Sequence, residues 1–308
     1  MKMTKTDYER IRNWIYRNAR PVDLARWQYH FENGGKEKVL SALLAYQNED
    51  GGFGHALEAD SWNTDSSPIQ TWTATEILKE IDFSDRQHKI IQQILNYLEN
   101  CRDYKGGLWL AEIPSNNDYP HAPWWTYNES DLEGWGYNPT APLLGFILYF
   151  GNKEAVIYQK ALKSAADMTE KILVKELSDK HEISCLINYL DYVKKAGLSI
   201  PGTDVLEEKL KQAVSKTINP NTKEWAVTYT CKPSDYFDAP EGIFYNDNKE
   251  LAEYECILLY ETRNGDGVWD ITWDWAGQYG KEFAVSEIWW KSNLIIKNML
   301  YLRNFHCL

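Results

Sequence analysis

Three groups of residues have the types and spacing to do chemistry. His55, Glu58 and Asp60 fall within six positions, with Trp62 close behind. A histidine beside two carboxylates can supply an acid/base pair or part of a metal site. Acidic residues next to glycine turns also cap helices and brace neighbouring elements, so a structural role stays open. The second group is Pro120-His121-Ala122-Pro123-Trp124-Trp125, with Asn138 further on. Tandem indoles between prolines can wall a cavity that holds a cation or a sugar face, or can seal one end of a fold. The third group is Trp269-Asp270-Ile271-Thr272-Trp273-Asp274-Trp275, followed by Glu287, Trp289, Trp290 and Lys291. Asp270 and Asp274 could share a divalent cation, but the spacing defines no metal geometry. Glu287 and Trp290 share a helix face, and Lys291 lies one turn from Glu287. None of the three groups calls for a cofactor. The chain has no glycine-rich phosphate loop and no Gly-x-Ser-x-Gly elbow.

The elements that position these residues are read from a recurring turn. Gln47-Asn48-Glu49-Asp50-Gly51-Gly52-Phe53 ends one helical stripe; Gly106-Gly107-Leu108-Trp109 and Asp266-Gly267-Val268-Trp269 repeat its glycine-aromatic ending, and Lys223-Glu224-Trp225 is a degenerate copy. The spacing suits repeats of two helices with their loops, which implies a curved or closed stack of helical hairpins. Helical periodicity supports this in Val39/Leu40/Leu43/Leu44, Ile90/Ile91/Ile94/Leu95/Leu98, Leu186/Ile187/Leu190/Val193, Leu206/Leu210/Ala213/Val214 and Ile288/Ile295/Met299/Leu302. Ser67-Pro68-Ile69-Gln70 predicts a helix start with a capping box closed by Gln70, and Asn138-Pro139 predicts a second start. Short strands are expected at 108–113, 225–230 and 268–273. Long irregular loops at about 103–137 and 219–246 are placed like the lids or rims of sites. The expected fold is all-α, a single domain over 1–308 with ten to twelve helices and small β excursions.

The Gln47, Asp50, Gly51, Gly52, Phe53 set, with Gly267 and Trp269 in the last copy, resembles the QW-type repeats of the α/α-toroid superfamily of terpenoid cyclases, squalene cyclases and protein prenyltransferases. Asn138-Pro139-Thr140-Ala141 and Ser286-Glu287-Ile288-Trp289-Trp290 extend the resemblance to bacterial squalene-cyclase-like, prenyltransferase-like proteins. It implies an α/α toroid, a central cavity and an isoprenoid or other lipid-like small-molecule ligand. In that setting His55, Glu58 and Asp60 are the catalytic candidates. Trp62, His121, Trp124, Trp125, Asn138, Trp273, Glu287 and Trp290 are the substrate-binding candidates. The chain departs from the enzymes of that superfamily in several ways. It lacks the Asp-x-Asp-Asp acid of the squalene-type cyclases and the Asp-rich metal motifs of ionising synthases, of which Asp235-Tyr236-Phe237-Asp238 is a faint shadow. His181 and Cys185 do not complete the zinc set of a protein prenyltransferase.

Composition narrows the partners. The 308 residues carry a net charge of −12 and are 14% aromatic, with 14 tryptophans and 20 tyrosines. Acidity argues against nucleic acid, whose binding rests on Lys and Arg meeting phosphates, and against adsorption to anionic membranes. The longest apolar run, Pro142 to Phe150, is too short to cross a bilayer. The N-terminal residues show no secretory pattern, and five scattered cysteines read as reduced thiols, so a cytoplasmic location is expected. Three functional classes fit. One is an isoprenoid-handling cyclase or transferase. Another is a carbohydrate-active toroid enzyme, a hydrolase or lyase with His55, Glu58 and His121 as its acid/base set. The last is a non-catalytic toroid that binds a peptide or lipid.

Overall fold

The structure is a computed structural model, described here for residues 2–130 and 134–308. Positions 131–133 of the first long loop lie outside the described residues. In chain order the helices are α1 (Lys5–Asn18), α2 (Pro21–Phe31), α3 (Lys36–Leu43), α4 (Pro68–Glu80), α5 (Lys89–Asn100), α6 (Thr140–Phe150), α7 (Val156–Val174), α8 (Lys180–Lys195), α9 (Thr203–Thr217), α10 (Tyr245–Glu261) and α11 (Gly280–Asn304). Strands β1 (Tyr104–Lys105) and β2 (Leu108–Trp109) form the one sheet among the described residues. The all-α expectation holds. The chain groups into two compact units, one of residues 1–43 with 214–308, the other of residues 44–213.

In the first unit Ile11, Ile15, Trp27, Leu259, Val268, Trp269, Ile295 and Met299 are buried in one apolar cluster. Each such side chain stabilises the fold by about 1.5–3 kcal/mol through its removal from water. Asp23, fully buried on α2, accepts hydrogen bonds from Arg20 Nε at 2.7 Å and Arg26 Nη1 at 3.0 Å. The helix thus carries charge inside only where it is paired.

In the second unit α6 is the central helix. Every residue of it except Tyr149 is buried, as its apolar composition on all sides requires. It packs against α7 and α8. The β1–β2 hairpin pairs Tyr104 with Trp109 and Lys105 with Leu108 around Gly106-Gly107, both at positive φ, the backbone that a two-residue hairpin turn demands. Trp109 N–H then donates to Thr140 Oγ1 at 2.9 Å, tying the hairpin to the start of α6.

The recurring turn is real in geometry. Asn48 N–H donates to Gly52 C=O and Gly51 N–H to Asn48 C=O; Asn264 N–H donates to Val268 C=O and Gly267 N–H to Asn264 C=O. Gly51 and Gly267 sit at φ 93° and 81°, where a side chain is strained. Phe53, Trp109, Trp225 and Trp269, which close the four turns, are all buried.

Five local expectations are corrected. Residues 225–230 form turns: Val227 and Thr228 N–H both donate to Glu224 C=O, and Asn219 Nδ2 donates to Glu224 and Thr230, so the backbone bonds locally and leaves no ladder to extend. Residues 268–273 form no strand because Asn264 wraps that turn with backbone and side chain. Gln70 does not close a capping box. Ser67 Oγ accepts from Gln70 N–H as expected, but Ser67 N–H already donates to Phe53 C=O, which frees the Gln70 amide for another task. Asn138 does not cap α6, which begins at Thr140. The Ala141 N–H is taken by Tyr137 C=O at 2.8 Å, so the turn needs no side-chain acceptor. Finally, Leu44 and Ile288 leave their stripes and are 46% and 37% exposed. Leu44 enters a 3-10 turn whose tighter winding rotates it off the face. Ile288 lies just past Ala284 and Val285, where the first turns of α11 face water.

Candidate functional site

The loop from Gly54 to Asn63 carries the first candidate group, and its shape follows from a few side chains that replace a backbone ladder. Gln70, fully buried on α4, accepts from Leu57 N–H at 2.9 Å through Oε1 and donates from Nε2 to Asn63 C=O at 2.9 Å. Asn63 Nδ2 donates to Ser115 Oγ and Asn116 Oδ1, and Asn116 Nδ2 donates to Trp125 C=O. Asp60 C=O accepts from Ala122 N–H at 2.8 Å, and Trp62 N–H donates to Pro120 C=O at 2.9 Å. The 54–63 loop and the Pro120–Trp125 segment are therefore one hydrogen-bonded assembly, and the first two candidate groups do come together.

Within it Glu58 and Asp60 are buried, and Glu58 Oε2 accepts from Asp60 N–H at 3.0 Å. His121 is buried opposite Ser61 in an antiparallel bridge. Its Nδ1 lies 2.7 Å from Tyr119 C=O and its Nε2 lies 3.0 Å from Thr126 Oγ1. The carbonyl dictates an Nδ1–H donor, so in the neutral ring Nε2 accepts from the Thr126 hydroxyl. Both nitrogens thus hold the loop. His55 stands apart from the buried pair. It is exposed at φ 59°, with Nε2 2.9 Å from Asn48 Oδ1, and it pins the loop back onto the recurring turn.

Trp62 and Trp124 are half-buried, and Trp125 is buried. Trp125 stacks on Trp135 with centroids 5.1 Å apart and planes 25° apart. Asn138 is buried, with Oδ1 unpartnered, as are Trp125 Nε1 and Ser61 Oγ. Residue types and spacing gave Gln70 only a helix-capping task and did not single out Trp135, Asn63 or Asn116. The Gly134-Trp135-Gly136 run was a visible signal for Trp135, and none marked Asn63 or Asn116.

The third group belongs to the other unit. Trp273 packs edge-on against Trp290 at 5.4 Å and Tyr229 at 5.5 Å. Lys291 Nζ lies 2.8 Å from both Asp270 and Glu287. That bonded ammonium holds the Asp270 carboxyl below the usual carboxylate range. Asp274 Oδ1 accepts from Ala276 N–H, so Asp270 and Asp274 have separate local tasks. Among the described residues no cluster of three His, Cys, Asp or Glu side chains could hold a metal ion, and no helix is long and apolar enough to cross a membrane.

The fold and site together define a mostly helical protein with one braced, carboxylate-bearing loop. No protein-family model, no curated protein and no solved structure matches the chain.

Proposed function

We propose that the protein is an α/α toroid of the terpenoid-cyclase and prenyltransferase kind, acting on an isoprenoid with Glu58 and Asp60 as its acid/base pair. The observation that carries this reading is the pair itself. Two buried carboxylates lie two residues apart on a loop whose flanks are fixed by Gln70, Asn63 and the Pro120–Trp125 segment. Proton transfer to or from a hydrocarbon needs such a group held in place and away from bulk water. Indole faces at Trp62, Trp124 and Trp125 suit a developing carbocation. The repeated turn at Asn48 and Asn264 supports a hairpin-repeat architecture. None of the five cysteines forms a disulfide, which fits a reducing cytoplasm.

Native mass spectrometry of protein purified from its host, with extraction of bound material, tests the substrate class. A polyprenyl chain or diphosphate supports the proposal. A bound sugar whose retention is lost in Glu58→Gln instead makes this loop that of a carbohydrate-active enzyme. Turnover that survives Asp60→Asn in a folded variant removes Asp60 from the mechanism. No ligand and no turnover on any isoprenoid leaves a non-catalytic binding module.

A further inference from the structure

A second site lies where the Trp135 loop meets the α7–α8 junction, and it shares no residue with the Glu58/Asp60 loop. Gly134, Trp135, Gly136, Lys175, Asp179 and Glu182 line a solvent-open cavity of about 240 Å³. That is room for about eight waters' worth of liquid, or one small ring. Its indole is immobilised before any ligand arrives. One face rests on Trp125, Nε1 donates to Glu112 Oε1 at 2.5 Å, and His181 packs edge-on at 6.2 Å. Gly136 allows the loop to close: a Cβ there would lie 2.3 Å from Glu182 Oε1.

The polar lining is hydrogen-bonded as well, with Glu182 buried and Lys175 and Asp179 exposed at the rim. Buried Glu182 accepts from Lys175 Nζ at 2.8 and 2.7 Å and from Tyr137 N–H at 3.2 Å. Asp179 Oδ1 caps α8 by accepting Glu182 N–H at 2.8 Å. This leaves a third proton on Lys175 and the Oδ2 of Asp179 for a ligand, a donor and an acceptor beside an aromatic face. One ammonium against two carboxylates makes the lining net negative, which disfavours an anion. A cation would meet Lys175.

We propose that this cavity binds a single neutral polyhydroxylated ring, a monosaccharide or cyclitol. Adjacent hydroxyls accept from Lys175 and donate to Asp179, while the C–H face lies on Trp135.

Saturation-transfer NMR on the full chain tests this with glucose, galactose, mannose and myo-inositol, alongside alanine, choline and inorganic phosphate. At least one polyol should bind saturably in the millimolar range, with transfer strongest to the C–H protons of one face. Asp179→Asn keeps an equally good helix cap and should weaken that binding about tenfold, the loss of one charged hydrogen bond. Trp135→Phe should reduce transfer and affinity together. Asp60→Asn should leave sugar affinity unchanged, which separates this site from the isoprenoid reading. Absence of saturable polyol binding, binding of only alanine, choline or phosphate, or polyol binding unchanged by both site variants would overturn the proposal.

Discussion

Replacing Gln70 by Leu is the sharpest test of how the candidate loop is held. The change roughly conserves volume, so the apolar packing around α4 stays filled. It removes the bonds that Gln70 makes to Leu57 N–H and Asn63 C=O, each at 2.9 Å around a fully buried side chain, and leaves Leu57 N–H on Gly54 C=O at 3.2 Å and Asn63 C=O with His55 N–H at 2.9 Å. Neither backbone group is left without a partner, so each lost bond costs its net contribution of about 0.5–1.5 kcal/mol, or about 1–3 kcal/mol together. For a domain of this size that lowers Tm by roughly 2 °C per kcal/mol, so a fall of about 2–6 °C is expected. Hydrogen exchange should localise the effect, with Leu57 N–H, left on its longer bond to Gly54 C=O, losing part of its protection while the core of α6 keeps it. Gln70→Glu adds a signature that simple packing damage would not produce. Its carboxylate still accepts from Leu57 but faces the Asn63 carbonyl, and on protonation it can donate there. The defect should therefore shrink as pH falls. A Gln70→Leu protein within about 0.5 kcal/mol of the parent, with unchanged Leu57 exchange, would refute the clamp.

Three further outcomes follow from the same geometry. Gly51→Ala should cost about 3 kcal/mol or more, since its Cβ would meet Gln93 C=O at 2.2 Å in addition to the left-handed strain. Gly107→Ala, at φ 90° in open space, should cost only about 1–2 kcal/mol; equal denaturation midpoints for the two would sink the steric argument. Asp23→Asn removes the charge between two buried guanidiniums and should destabilise by about 3–5 kcal/mol in urea titrations; a loss under 1 kcal/mol would show the guanidiniums well served elsewhere. Glu255 is buried, and desolvation raises its pKa above 4.5 despite Lys232 and Ser234. A raised folded pKa contributes stability fully present below the unfolded value and lost as pH rises through the folded one. The stability of the parent relative to Glu255→Gln should thus decline from about pH 4.5 upward, and a flat difference would contradict the assignment.

Helices were legible wherever one face repeats over several turns. Ile90, Ile91, Ile94, Leu95 and Leu98 form such a face, and all five are buried. The glycine turns were legible because a left-handed backbone restricts residue choice, which is why Asn48–Gly52 and Asn264–Val268 share their bonds. The strand reading at 225–230 failed for a related reason. Alternating β-formers state a preference, while Asn219 and Glu224, either side of Pro220 and Asn221, offered local hydrogen-bond partners that satisfied the backbone first.

The site was legible in its ends and not in its braces. His55, Glu58, Asp60 and the Pro120–Trp125 run announced themselves by residue type, yet the side-chain braces that hold them run from Gln70 to Leu57 and from Asn63 to Asn116. Amides are common, and nothing in their spacing says which backbone group they will meet. Gln70 shows how such a reading goes astray. At the third position of α4 it had a standard partner in the Ser67 N–H, but Phe53 took that donor across a bridge. The amide was then available to hold the loop that carries Glu58 and Asp60. A donor satisfied at long range thus decides what a local motif does, and the positioning of the candidate carboxylates depends on that exchange.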